Sequence, residues 1–238
     1  MKIKFNEAAH TYTHKDTGEK FISVTTLLGK YKQPFDRDGH SKRVANREGV
    51  SQEFVLEMWE KEKVKACTRG TNIHKILEDY ISFGDVEDNY GWLCKSYDKA
   101  AERSIDSFKN VLCENLLYDE EYSVAGTADL IYEHKHEFTI GDFKTNKQFR
   151  FSSPYSERLK DPVCHLHNCE FNLQLSLYAY LYEKMSGKRC RKCVVFYLKD
   201  DRFLSYHINY MKAEVEAILA SMQKSGAKVP VNNIEKLA

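Results

Sequence analysis

The sequence predicts an α/β domain, with a central mixed β-sheet flanked by helices. Three observations point there. Short runs rich in apolar residues alternate along the chain with helical stretches, the pattern of helices layered on a sheet. The chain has 238 residues, 42% of them hydrophobic and 30% charged, enough to bury a sizeable core without disulfide or metal staples. Glycine totals 11 and proline only 4, with no repeat or low-complexity tract, so long linkers are not expected. The expectation is one domain over 1–225. Residues 1–66 read as an N-terminal hairpin and helical lead-in, 67–210 as the core, and 226–238 as a tail.

The elements follow in order. His10 to Thr13 and Lys20 to Val24 flank a turn at Asp16-Thr17-Gly18 and read as a hairpin. Residues 52 to 66 read as a helix with Phe54, Val55, Met58 and Trp59 on its apolar side. A second helix starts near Thr71 and ends at about Phe83, before Gly84. Residues 92 to 117 read as one or two further helices. Thr127 to Tyr132 and Phe138 to Thr145 are strands around a tight turn at His134 to Glu137. A polar loop covers 146 to 169, and a strong helix runs from about Asn172 to Met185. Cys193 to Leu198 and Phe203 to Ile208 form another hairpin around Asp200-Asp201. The last helix spans about Lys212 to Lys224.

Several classes are set aside by composition. No apolar run approaches the roughly 18 residues of a transmembrane helix. The N-terminal stretch lacks a secretory h-region, so a cytoplasmic, membrane-free setting is expected. Seven cysteines cannot all pair internally, which suits a reducing compartment. Cys190-x-x-Cys193 and the Cys164 to Cys169 cluster have metal-like spacing. Neither has the partner pair that closes a tetrahedral zinc site, so ordinary thiols are preferred to zinc or an iron–sulfur cluster. Lys+Arg is 36 against 35 Asp+Glu, which excludes a uniformly basic coat. Charge is nevertheless segregated. Residues 85 to 121 are acid-rich, while 144 to 160 and 184 to 192 are base-rich. The basic stretches read either as a nucleic-acid-facing side or as ordinary wet surface.

Four positions carry candidate chemistry. On a strand, Phe138, Ile140, Asp142 and Lys144 share one face, which runs from apolar into a carboxylate and then an ammonium. A hairpin turn centred between Lys135 and His136 puts residues whose numbers sum to 271 opposite one another. Asp129 and Asp142 satisfy that sum. Two carboxylates so close repel unless a proton or a cation sits between them. The plainer alternative is an Asp142–Lys144 ion pair at a strand end. On the helix from Thr71, His74 and Glu78 lie at the edge of the buried stripe Ile73, Ile76, Leu77, Tyr80 and Ile81. His74 there is either a metal ligand or a half-buried imidazole hydrogen-bonded to Glu78. Gln174 interrupts the apolar face of Leu173, Leu177, Tyr178, Leu181 and Met185, four residues from Tyr178. Its buried amide either bridges the core or orients a reacting group.

In this order the residues resemble the PD-(D/E)XK nuclease superfamily, most closely its RecB-like branch, which includes the mitochondrial genome maintenance exonucleases and many phage exonucleases. Gly70-Thr71-x-x-His74 is similar to the helix motif of that branch, Gly126-Thr127-Ala128-Asp129 to its GxxD strand, Asp142-Phe143-Lys144 to its DxK strand, and Gln174-x-x-x-Tyr178 to its QxxxY helix. Ser23-Val24-Thr25 and Trp59 extend the likeness upstream, so it spans about residues 10 to 210. Ala128 stands where the superfamily name has proline, and the spaced cysteines of iron–sulfur members are missing.

The resemblance implies a restriction-endonuclease-like core with an N-terminal hairpin and helical insertions. It implies metal-dependent hydrolysis of DNA phosphodiesters, exonuclease before endonuclease, on single-stranded DNA or duplex ends, in phage or bacterial recombination, repair or degradation. Asp129, Asp142, His74 and the carbonyl of Phe143 would hold Mg²⁺ or Mn²⁺, with no iron–sulfur cluster. Lys144 would orient or deprotonate the attacking water, and Gln174 and Tyr178 would position Lys144 or the phosphate. Glu78 and Glu121 are expected behind the ligands. Arg69, Lys147, Phe149, Arg150, Tyr31 and Lys32 are expected to contact DNA, a mixture of bases that track phosphates and aromatics that stack. A helicase or single-strand annealing protein would be a separate partner. The alternative is a nuclease-like fold kept for DNA binding without catalysis.

Overall fold

The computed structural model describes residues 2–7, 9–31, 35–84, 86, 88–147 and 171–224. Three short strands, β1 (Ile3–Asn6), β2 (Thr11–His14) and β3 (Lys20–Ser23), open the chain as an antiparallel ribbon. Ser23 ends β3 and caps α1 (Val24–Gly29), its hydroxyl accepting from the Thr26 amide. Next come α2 (Arg37–Glu48) and α3 (Gln52–Phe83), then α4 (Gly91–Ser104). The long meander β4 (Asn110–Asp119), β5 (Val124–Glu133) and β6 (Glu137–Lys144) leads to α5 (Asn172–Ser186), β7 (Arg189–Lys199), β8 (Arg202–Ile208) and α6 (Lys212–Lys224).

All eight strands join one mixed sheet in the order β1-β2-β3-β5-β6-β7-β8, with β4 also on β5. The β3–β5 and β6–β7 contacts are parallel and the rest antiparallel. One core layer packs α1, α5 and α6 on the sheet, around Leu27, Phe138, Ile140, Leu177, Val195 and Leu219. The other packs α3 and α4, around Leu77, Leu93, Tyr97, Tyr132 and Phe196. The expected α/β architecture is therefore present. Among the described residues, no helix is long and apolar enough to cross a membrane.

Three local expectations change. The two helices expected over 52–66 and 71–83 are one 32-residue helix, α3, with Gly70 in its interior. A Cβ at Gly70 would stand 3.2 Å from Thr145 Oγ1, so the glycine admits the end of β6 against the helix rather than ending it. Residues 110–119 are strand β4, not helix. Val111 and Cys113 pack on the α3/α4 layer while Leu112 and Leu117 pack on the α5 layer. A strand covered on both faces loses its period-two pattern and reads like a buried helix. β1 was not expected, and α1 and α2 fall within the helical lead-in expected over 1–66 without having been located there. Two further expectations, a polar loop over 146–169 and the tail at 226–238, fall almost wholly outside the described residues, as does the Cys164–Cys169 cluster.

Candidate active site

The site begins with the register of one hairpin. Leu130↔Gly141, Ile131↔Ile140, Tyr132↔Thr139 and Glu133↔Phe138 are opposed, each pair summing to the 271 expected from the turn. Asp129 and Asp142 come next in that register, beyond the last ladder pair. The strands part there because β5 has only two edges. β4 runs along one edge from Val124 to Glu133. The other edge is divided, with β3 on Val124 and Ala125 and β6 on Leu130 to Glu133. Gly126 to Asp129 lie in the fork. Across it, the Phe143 amide donates to Asp129 Oδ2 at 2.7 Å, a side-chain contact where the next backbone bond would be.

Asp142 is 2% exposed and ion-paired with Lys144 Nζ. The plain strand-end pair is thus real, and it holds the lysine at the fork. Burial pushes the Asp142 pKa up to about 6; Lys144 and His74 oppose the shift and Asp129 adds to it. Lys144 Nζ also sits 4.9 Å from the centre of the Phe171 ring. His74 is turned to Asp129, with Nδ1 3.4 Å from Oδ2, and not to Glu78. Glu78 instead meets Lys75 at 3.2 Å. Gln174 Nε2 donates to the Tyr178 hydroxyl at 3.3 Å, and burial raises the Tyr178 phenol strongly. His74, Phe143, Lys144, Thr145, Asn146, Phe171 and Gln174 line one cleft of about 320 Å³. The rear wall needs Gly126, since a Cβ there would stand 2.6 Å from Tyr178 Cε1 and 3.1 Å from Val24 Cγ2.

One acid in the site was not expected. Glu114 of β4 lies between the ladder pairs Cys113↔Leu130 and Asn115↔Ala128, hence across from Asp129. Its backbone is left-handed, φ 44°, which is rare for glutamate. The residue is exposed, and its carboxylate lies toward His74 and Asp129. One donor atom each of His74, Glu114 and Asp129 lies within 4.8 Å of the others. Burial, then Asp129, Glu78 and Asp142, push the Glu114 pKa up to about 8. Reading β4 as a strand would have revealed it: the β4–β5 index sum of 243 pairs 114 with 129.

Other expected residues are placed unevenly. Glu121 stands in the β4–β5 turn, about eight residues or roughly 25 Å along the chain from Asp129. Its carboxylate meets Lys184 at 3.2 Å, so the expectation that it backs the ligands is corrected: nearness in sequence is undone by the length of the strand. Tyr31 is half-buried against the α5/α6 layer, its hydroxyl 2.8 Å from Ser221 Oγ. Arg69 is exposed on α3 beside Gly70. Lys147 is exposed and pairs with Glu62 of α3 at 2.6 Å. Lys32, Phe149 and Arg150 lie outside the described residues. The base-rich stretch 184–192 is not an open basic face. Lys184 pairs with Asp119 and Glu121, Lys188 with Glu133, Arg189 with Glu137, and Arg191 and Lys192 with Asp106.

No protein-family model and no curated protein matches this chain. Among solved structures it is similar to the protein designated SSO0001, at 13% identity and a TM-score of 0.36, over 87% of this chain and 77% of that one. It is also similar to a protein from Eubacterium rectale named "putative exonuclease", at 10% identity and a TM-score of 0.37, over 86% of this chain and 79% of that one. Overlays this loose carry no weight for the site.

Proposed function

We propose that this chain is a metal-dependent deoxyribonuclease of the PD-(D/E)XK type, acting from DNA ends. One observation carries the reading: Asp129, Asp142, Lys144, His74 and Gln174 come from four elements, β5, β6, α3 and α5; His74, Lys144 and Gln174 line one cleft, with Asp129 against His74 and Asp142 against Lys144 behind it. The donor chemistry fits a divalent cation. Two carboxylates on opposed positions, one of them buried, would otherwise repel, and the imidazole of His74 widens the choice from Mg²⁺ towards Mn²⁺. Asp129, Asp142, His74 and the Phe143 carbonyl would hold it. Bound there, the ion would supply Lewis acidity to a phosphoryl oxygen and acidify a water molecule.

The chain's own residues do the rest. Lys144, anchored by Asp142 with its ammonium at the cleft, orients the attacking water and steadies charge developing on the phosphate. Gln174 lines the same cleft and Tyr178 fixes its amide, which sets where a phosphate can rest. Glu78 acts through its charge on Glu114. Exposed Arg69 on α3, and Lys147 just beyond β6 once released from Glu62, would meet the DNA backbone.

The test is direct. End-labelled single-stranded and duplex DNA is incubated with the protein and Mg²⁺, Mn²⁺ or EDTA. Degradation should need the metal, and Asp142→Ala or Lys144→Ala should reduce it by on the order of 10²-fold or more while folding is kept. A circular single strand should resist. If linear DNA survives every metal, the reading falls and a silent DNA-binding role takes its place. If circles are cut as fast as linear strands, the requirement for ends falls.

A further inference from the structure

We infer that Glu114, a residue outside every motif that suggested the nuclease reading, is a direct ligand of the divalent cation together with His74 and Asp129. The inference rests on that reading only in taking the bound ion to be divalent. The argument is geometric. Asp142 is ion-paired with Lys144 and stands outside the tightest donor group, so Glu114 adds a ligand to those proposed above and replaces none. Asp129 is pinned from one side by the Phe143 amide. The atoms that approach one another within 4.8 Å are those of His74 on α3, Glu114 on β4 and Asp129 on β5. Three elements thus present an imidazole and two carboxyl groups to one point, with no described lysine or arginine salt-bridged to Glu114 or Asp129.

Distance decides between a ligand and a distant charge. Donors around one cation at about 2.0–2.6 Å must lie within roughly 5 Å of one another, as these three do. A spread of 8 Å would have allowed only a through-space effect. The mixed set, one nitrogen with two carboxylates, is one that Mn²⁺ tolerates well. Glu114 would reach the ion from the β4 side, opposite the cleft side occupied by Lys144 and Gln174. The cleft would then stay open to a substrate phosphate.

The experiment measures Mn²⁺ binding, not cleavage. The full chain, as wild type and as the near-isosteric Glu114→Gln, is titrated with Mn²⁺ at constant pH. Free ion is read by electron paramagnetic resonance and folding by thermal melting. Kd should rise on the order of 10–100-fold in Glu114→Gln. Equal affinity within about twofold, in a folded variant, overturns the inference whatever the nuclease assay gives. Weakened binding in the variant beside a wild type that cuts no DNA supports the inference and sinks the nuclease reading alone. Should Glu114→Gln fail to fold, anomalous scattering from Mn²⁺ soaked into wild-type crystals answers the question. A peak at coordination distance from Glu114 supports the inference, and a peak bound by Asp129 and His74 with Glu114 turned away overturns it.

Discussion

Gly126→Ala is the smallest change that should disturb the site without touching a donor atom. The new methyl would lie 2.6 Å from Tyr178 Cε1 and 3.1 Å from Val24 Cγ2. Carbon atoms in contact prefer about 3.5–4.0 Å, so the ring must retreat by roughly 1 Å. It has little room, because Tyr178 is 6% exposed and packed between α1 and β5, and its hydroxyl holds Gln174. Overpacking of this kind costs about 1–3 kcal/mol. For a chain of this size the expected fall in Tm is on the order of 3–10 °C. Thermal melting and urea unfolding with an unchanged m-value measure it. Moving Gln174 with the ring should also lower DNA cleavage, by about tenfold or more. The same Gly126→Ala change made in a Tyr178→Leu background should cost less than about 0.5 kcal/mol, because the clashing atom is gone. Full wild-type stability for Gly126→Ala, or an undiminished cost in the Tyr178→Leu background, would refute the close-approach argument.

Other outcomes follow from the same contacts. Asp142 and Glu114 have pKa values raised above their unfolded values, to about 6 and about 8. The folded state therefore holds their protons more tightly, and their burial destabilises the metal-free protein increasingly as pH rises through the window from about 4 to 8. Between pH 5 and 8 the paired carboxylates Glu133, Glu137 and Asp106, whose pKa values are lowered, are ionised in both states and do not mask the trend. Melting in EDTA should show Tm falling from pH 5 to 8, a smaller fall in Glu114→Gln, and recovery at pH 8 on adding Mn²⁺; a flat profile counts against the buried-acid reading. Tyr97 and Tyr132 share a buried hydrogen bond through their hydroxyls. Tyr132→Phe should cost about 1–3 kcal/mol by stranding the Tyr97 hydroxyl, and the double change Tyr97→Phe/Tyr132→Phe should lie closer to wild type, as read by urea unfolding. Arg189→Ala and Lys192→Ala should leave DNA affinity within about twofold of wild type in a salt-titrated binding assay, since both bases are spent on Glu137 and Asp106.

The parts of the site legible in sequence are those fixed by short-range geometry. The tight turn between Glu133 and Glu137 sets the β5–β6 register, so the opposition of Asp129 and Asp142 could be counted out in residue numbers. Helical spacing put Gln174 beside Tyr178 and His74 at the rim of the α3 stripe. What escaped depended on contacts between segments far apart. Glu114 was hidden because α3 and α5 cover both faces of β4 and erase its alternation. The base-rich stretch 184–192 could be read as a nucleic-acid face or as wet surface, because the acids that pair it come from 106, 119, 121, 133 and 137, none of them near it in the chain. Glu121 erred the other way, close to Asp129 in number but in the turn before β5, with the extended residues Val124 to Ala128 between them.

The topology explains why the acids collect at this one point of the sheet. A strand has two edges, and β5 must serve three neighbours. β3 enters parallel at its start and β6 leaves antiparallel from its end, so the four residues between them, Gly126 to Asp129, face a gap on that edge. A gap in a buried sheet leaves backbone groups without ladder partners, which is costly unless side chains fill it. Asp129 does so by taking the Phe143 amide. The Tyr178 ring packs closely against Gly126. Beside the same gap Asp142 is 2% exposed and paired with Lys144, whose side chain lines the cleft. Filling the fork with an apolar side chain, as in Asp129→Leu, should therefore unpair the Phe143 amide and close the cleft together. A variant that lost one without the other would show that the gap is not what builds the site.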